Sequence, residues 1–342
     1  MMSNLSQPLD LRSDTLTKPS PSMRKIMAEA EVGDSFYDED PTVVELEKTI
    51  AEAFGHEAAI FVPSGTMSNQ IAAQIHCHHG EALMGATDLH ILRAESGALS
   101  AIAGVQPVAV PIVDEFLPDL TKMDDLFVAR DSLVTPPTRL LVVENTHLFS
   151  GGRIHPFEHL EALSEWCQQR EMAFHLDGAR LWNSHVETGI PLQNYGHLFS
   201  TISVCFSKGL GAPAGSCLIG SKLQMQRAKL LRKRMGGTMR QCGILAAGAL
   251  FAFKHHLTEL KVDHLKAKKL SDWLRRKYPQ AHVPQPETNI VLMRFSNPAK
   301  SVLSELESFH GLRLSALNQN TLRAVCHRDI DISSLELVMS GE

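Results

Sequence analysis

Through the middle of the chain, short apolar runs alternate with longer stretches of mixed spacing. Leu140-Leu-Val-Val143 is one such run, ending on Glu144-Asn145. A second closes on His175-Leu-Asp177, a third covers residues 202–206, and Cys217-Leu-Ile219 is a fourth. Runs this short, with loops at their ends, read as buried strands. Between them, Ser64-Gly-Thr66 leads into a helix expected over residues 67–79, with Gly80 as its stop. Pro156 opens another through Arg170, acidic early and basic at its end, as the helix dipole favours. Strands separated by helices imply a mostly parallel sheet with helices on both faces. After Gly243 the pattern changes to a long helical stretch, 244–278, then shorter strands near 289–295 and 321–326. The expectation is α/β: a large domain over residues 1–245, N-terminal segment included, and a smaller C-terminal α+β domain over 246–342.

Length agrees with that division, since 342 residues are many for one domain and comfortable for a large one plus a small one. No window approaches 18 uninterrupted apolar residues, which argues against a membrane span. The polar N-terminus, residues 1–11, has no apolar signal region, and the expected location is cytoplasmic. The net charge of −5 is spread along the chain without the basic stripe that nucleic-acid binding needs. None of the six cysteines forms a C-x-x-C pair, and most have apolar neighbours, as for free buried thiols in a reducing compartment.

The candidate chemistry sits where the strands end. Lys208 follows one run and precedes Gly209, Gly211 and Pro213, which leave room around its ammonium. Partial burial there would lower its pKa and favour imine formation. Asp177 ends another run, where an unpaired carboxylate is costly. It forms either a buried ion pair with Arg180 that fixes a loop, or a partner for a protonated pyridine nitrogen. A Schiff-base lysine with such a carboxylate is the requirement of pyridoxal phosphate (PLP) chemistry. Ser64-Gly65-Thr66, at a helix N-terminus, is a helix cap in isolation and a phosphate cradle in this company. His90 could stack on the pyridine face and relay protons, and His147 is a second candidate. His76-Cys-His-His79 offers a metal-site alternative, but only His76 and His79 would share a helix face, with no acidic ligand near. No metal is expected.

These segments together resemble the low-specificity L-threonine aldolases, within the fold-type I PLP enzymes and the β-eliminating lyase group. The likeness runs from Asp10-Leu-Arg-Ser-Asp-Thr-Leu-Thr-Lys-Pro19, Glu31-Val-Gly-Asp34 and Tyr37-Asp-Glu-Asp-Pro-Thr42 through Phe61-Val-Pro-Ser-Gly-Thr-Met-Ser-Asn69. It continues in Glu144-Asn-Thr-His147, Ser150-Gly-Gly-Arg153, His175-Leu-Asp-Gly-Ala-Arg180, Ser207-Lys-Gly-Leu-Gly-Ala-Pro213 and Gly236-Gly-Thr-Met-Arg-Gln241.

The resemblance implies an aspartate-aminotransferase-like large domain and retro-aldol cleavage of L-threonine, L-allo-threonine and related β-hydroxy-α-amino acids to glycine and an aldehyde. It implies that Lys208 holds PLP, Asp177 pairs with the ring nitrogen, Gly65 and Thr66 bind the phosphate, and His90 stacks on the ring. Ser13, Arg180 (also beside the cofactor) and Arg323 would receive the substrate carboxylate. Arg240 would reach the phosphate of a neighbouring subunit in a homotetramer. The base that takes the β-hydroxyl proton is left between His90 and His147. The alternative activity is β-elimination or racemisation of another amino acid. Five positions depart from the family pattern: Asp38 where glycine is common, Ala94 for an aromatic, Leu148 and Phe149 for a polar pair, and Thr238 for a glycine.

Overall fold

The computed structural model describes residues 8–340; residues 1–7 of the polar N-terminal stretch, and the last two, lie outside them. Seven strands build the central sheet: β1 (Ala58–Val62), β2 (Ala82–Ala86), β3 (Gln106–Val110), β4 (Thr138–Glu144), β5 (Ala173–Gly178), β6 (Thr201–Cys205) and β7 (Ser216–Gly220). Their spatial order is β1-β7-β6-β5-β4-β2-β3, parallel except that β7 runs antiparallel to both β1 and β6. Leu141 and Val143 of β4 pack into one core and Leu140 and Val142 into another, on opposite sides of the sheet. A strand covered on both faces has no polar face, which is why this run is continuously apolar.

The expected helix over 67–79 runs Gly65–His76 and stops at Cys77, whose backbone is extended. Beyond it the Glu81 carboxylate accepts from the His78 amide, turning residues 78–81 out of the helical path. His79 therefore lies outside the helix and does not share a face with His76. The expected Pro156 helix spans Phe157–Gln169, with Pro156 as its N-cap.

The single stretch expected over 244–278 is two helices, Gly243–His256 and Leu260–Lys277. The first buries Ala246, Ala249 and Ala252 in the large core, while the second sends Ala267, Leu270, Trp273 and Leu274 into a separate one. Two cores pull on successive segments in different directions, and the helix breaks between them without a proline or glycine. Leu260 packs into the large core and Ala267 into the second one.

The second core lies on a three-stranded antiparallel sheet of β8 (Ile290–Arg294), β9 (Ser315–Asn318) and β10 (Thr321–Val325), in the order β8-β10-β9. Leu11 belongs to this core, although the N-terminal segment was expected with the large domain. Leu9–Asp10 pairs in parallel with Leu312–Arg313, and the Val325 amide donates to the Leu11 carbonyl.

Candidate active site

The carboxyl ends of β4, β5 and β6 lie side by side, and register places Glu144 opposite Asp177 and Asp177 opposite Ser203. In open α/β sheets this edge carries the ligand site. Asp177 is buried; its Oδ1 accepts from the Ala179 amide at 3.1 Å and its Oδ2 from Asn69 Nδ2 at 2.8 Å. Arg180 is not its partner. The Arg180 fork donates to Asp14 instead, Nε to Oδ2 at 2.8 Å and Nη2 to Oδ1 at 2.7 Å. Burial works to raise the Asp14 pKa, but Arg180 outweighs it and holds the carboxyl at about 2.

Lys208 stands in the loop after β6, half-buried, with Nζ 4.0 Å from Cys205 Sγ. Its carbonyl accepts from Thr17 Oγ1 at 2.8 Å, so the N-terminal segment braces this loop. Beside it the helix Gly65–His76 begins. Ser64 caps that helix, accepting from the Met67 amide at 3.2 Å. Gly65 and Thr66, in the first turn, have no intrahelical acceptor for their amides. A Cβ on Gly65 would lie 2.7 Å from Cys205 Sγ, so only glycine lets the helix start this close to β6. The cap and the cradle coexist: Ser64 serves the helix, and the two following amides remain for an anion.

Arg323, on β10, donates from Nη2 to the Arg12 carbonyl at 3.0 Å, while its buried Nε has no partner. Burial and the neighbouring Arg180 charge lower its pKa. Arg180 bonds Asp14, whereas Arg323 bonds no carboxylate among the described residues, and its open Nε suits an incoming one. Ser13 adjoins them, half-buried, its Oγ accepting from the Thr15 amide at 3.2 Å.

His90 opens the short helix His90–Arg93. Its amide donates to Glu144 Oε2 at 2.9 Å, and its Nδ1 lies 3.3 Å from Glu95 Oε1. The Glu95 hydrogen bond raises its pKa above the usual histidine range. His90, Glu95 and Asp177 present atoms within 4.8 Å of one another, a spacing a metal ion could use. Their carboxylates, however, already take amide protons from Asn69 and Gln70, which an ion would have to displace.

His147 is not on this cluster. It is buried against Phe116, its Nδ1 accepting from the Ser150 amide at 3.2 Å and its Nε2 3.4 Å from Asp88 Oδ1. Burial opposes its charge, but Asp88 and Glu144 prevail and raise its pKa. Glu144 ties the two histidine loops together, accepting from the His90 amide and, at 3.0 Å, from the Leu148 amide. Arg240 is also apart, half-exposed, with its guanidinium on Asp34 at 3.2 Å and over the Phe36 ring. Leu148 and Phe149 pack with Ile290, Leu292 and Val325 of the small sheet.

Sequence reasoning passed over Asp14, Asn69, Glu95 and Glu144 as site residues. Glu144 carried the same signal as Asp177, a carboxylate ending an apolar run. Asn69 and Gln70 carried a weaker one, adjacent amides among the buried residues of their helix.

Comparison with known proteins agrees with this geometry. The β-eliminating lyase family matches residues 10–297. Low-specificity L-threonine aldolase 1 of Arabidopsis thaliana is 38% identical over 340 residues, covering 97% of this chain and 94% of the relative. A Leishmania major threonine aldolase structure superposes with a TM-score of 0.82 at 21% identity, covering 97% of this chain and 98% of that one. The aspartate aminotransferase of Thermotoga maritima does so with a TM-score of 0.73 at 14% identity, covering 97% and 91%. At those identities the two structures speak for the fold alone, and it is the aminotransferase-like one expected. Sequence similarity carries the kinship: this chain belongs to the β-eliminating lyase family.

Proposed function

We propose that the protein is a PLP-dependent aldolase that cleaves L-threonine, L-allo-threonine and related β-hydroxy-α-amino acids into glycine and an aldehyde. The observation that carries this reading is the convergence, at the edge of the central sheet, of Lys208, Asp177 and the open amides of Gly65 and Thr66, with the unpaired Arg323 Nε on the small sheet close enough to Arg180 to feel its charge. The donor set fits PLP. Two amides at a helix N-terminus suit a phosphate, a buried carboxylate suits a protonated ring nitrogen, and a half-buried lysine suits an aldehyde.

When bound, PLP supplies an aldehyde that condenses with amines and a protonated ring that draws electrons from a bond broken at Cα. The protein's residues decide which bond that is. Arg180, Arg323 and Ser13 hold the substrate carboxylate and fix rotation about Cα, so that the Cα–Cβ bond is the one aligned for cleavage. Asp177 keeps the ring nitrogen protonated. Of the two histidines, His90 faces the cluster, and we assign it the β-hydroxyl proton; Glu95 then stabilises the imidazolium that forms. His147 braces the same loop pair through Asp88. We further propose a homotetramer in which Arg240 turns to the phosphate of an adjoining subunit; a 37.7 kDa chain eluting at four times its mass is the expected result.

The deciding experiment follows aldehyde and glycine released from L-threonine and L-allo-threonine in separate reactions with PLP. Equal amounts of both products establish aldol cleavage. A keto acid with ammonia would show β-elimination, and an inverted amino acid racemisation; either would replace this reading.

A further inference from the structure

Asn69 sits at the junction of the whole buried polar network, with 2% of its surface exposed. Its Nδ2 donates to Asp177 Oδ2 at 2.8 Å and to Glu95 Oε1 at 2.9 Å. Its Oδ1 lies 3.2 Å from His175 Nε2. His175, on β5, is within 2.8 Å of Thr201 Oγ1 through its Nδ1, and that hydroxyl is 3.0 Å from His76 Nε2.

The proton positions follow by elimination. Asn69 Nδ2 is the atom in bonding range of both carboxyl groups, whose oxygens accept, so its two amide protons face Asp177 and Glu95. Its Oδ1 then faces His175, whose Nε2 must carry a proton. Burial holds His175 neutral, with its pKa down at about 4, and its Nδ1 accepts from the Thr201 hydroxyl at 2.8 Å, although the Thr201 carbonyl lies 3.1 Å from the same nitrogen. The Thr201 hydroxyl donates to that Nδ1 and accepts from His76 Nε2, which is likewise kept neutral by burial. Every donor in the chain His76–Thr201–His175–Asn69 points toward the two carboxylates. The opposite histidine tautomer would place an unprotonated nitrogen against the Asn69 oxygen.

We propose that Asn69 is a positioning residue that gives one amide proton each to Asp177 and Glu95, its orientation locked from behind by His175, Thr201 and His76. It rests on the reading of the preceding section, because Asp177 and Glu95 matter there as the partners of the ring nitrogen and of His90. One side chain thereby couples the group that would pair with the ring nitrogen to the group that tunes the proton relay. It also gives the histidine at position 76 a role that owes nothing to metal.

Asn69→Asp keeps the shape and removes both donors, and Thr201→Val removes the hydroxyl three contacts away from the carboxylates. Three readouts are used: the PLP dissociation constant, the pKa of the acid limb in kcat/KM, and the histidine tautomers of 15N-histidine-labelled apoprotein, with His175→Gln for assignment. The expected wild-type signal is an Nε2–H tautomer for His175. Asn69→Asp should weaken PLP binding at least tenfold and move the acid limb. Thr201→Val should release His175 to donate from Nδ1 to the Thr201 carbonyl, 3.1 Å away, and shift the limb in the same direction. An Nδ1–H tautomer in wild type, or unchanged PLP affinity and acid limb in Asn69→Asp, overturns the proposal. Wild-type protein that takes up no PLP would instead overturn the function proposed above, and the tautomer, read without cofactor, still decides the network.

Discussion

Arg180 and Asp14 form a buried two-bond ion pair, Nε to Oδ2 at 2.8 Å and Nη2 to Oδ1 at 2.7 Å, joining the start of the chain to the loop after β5. The pair leaves Asp177 free of Arg180 and orients one of the two arginines assigned to the substrate carboxylate. Its loss has a definite pH signature. Asp14 is held at about 2 in the folded protein, below the roughly 3.9 of an unfolded aspartate. A depressed folded pKa stabilises above the unfolded value, and that contribution fades as pH falls from about 4 toward 2. Asp14→Asn strands a buried guanidinium and should cost about 3–5 kcal/mol at neutral pH. Denaturant unfolding of both proteins at pH 7 and pH 3 should show the gap narrowing on acidification. A gap of constant size would mean that the ion pair is not its source.

Lys208→Ala removes the lysine amine proposed to hold PLP. Borohydride treatment of the wild type with PLP should fix cofactor mass on the peptide containing Lys208, and the variant should show none. Aldehyde release should fall by about 10³-fold or more. Mass spectrometry of the reduced digest checks the first outcome, and a coupled aldehyde assay the second.

Arg323→Leu deletes a guanidinium whose Nε has no partner among the described residues. A charged hydrogen bond present both in the bound substrate and in the transition state affects KM more than kcat. The expected rise in KM for L-threonine is about tenfold to a hundredfold, with a smaller change in kcat. Steady-state kinetics on both parameters would refute the assignment if kcat fell while KM held.

Glu95 raises the His90 pKa. If His90 must be unprotonated to accept the β-hydroxyl proton, activity appears as pH rises through that elevated value, above about 6.5. Glu95→Gln removes the negative charge, so the acid limb of kcat/KM should move to lower pH while maximal activity drops. A limb that stays in place assigns the titration to another group.

Much of this was legible beforehand. Asp177 and Lys208 stood out because a charged group ending a buried apolar strand needs a reason. The same rule, applied to Glu144, would have found the residue that joins the His90 and His147 loops. Arg180's true partner was not legible, since a pairing across the fold leaves no spacing in the sequence. Strand β2, Ala-Leu-Met-Gly-Ala, has no β-branched residue, and only its burial between β4 and β3 makes it a strand. The break after His256 was invisible for a related reason, because competing cores and no residue-level signal produce it. The departure at Asp38 is explained by its backbone: φ is 58°, the left-handed region where glycine is at ease. Asp38 holds it with an ion pair to Lys229.

Residues 9–17 have a mechanical consequence. They are stitched to Leu312–Arg313 at Leu9–Asp10, to the small sheet at Leu11, and to the residues around the central sheet at Asp14 and Thr17. Ser13 hangs between the two anchorages. A swing of the small domain would therefore tug the serine, the aspartate and, through it, Arg180 in a single movement. On the proposed assignment this segment would work as a tendon, converting domain position into the grip on a substrate's carboxylate.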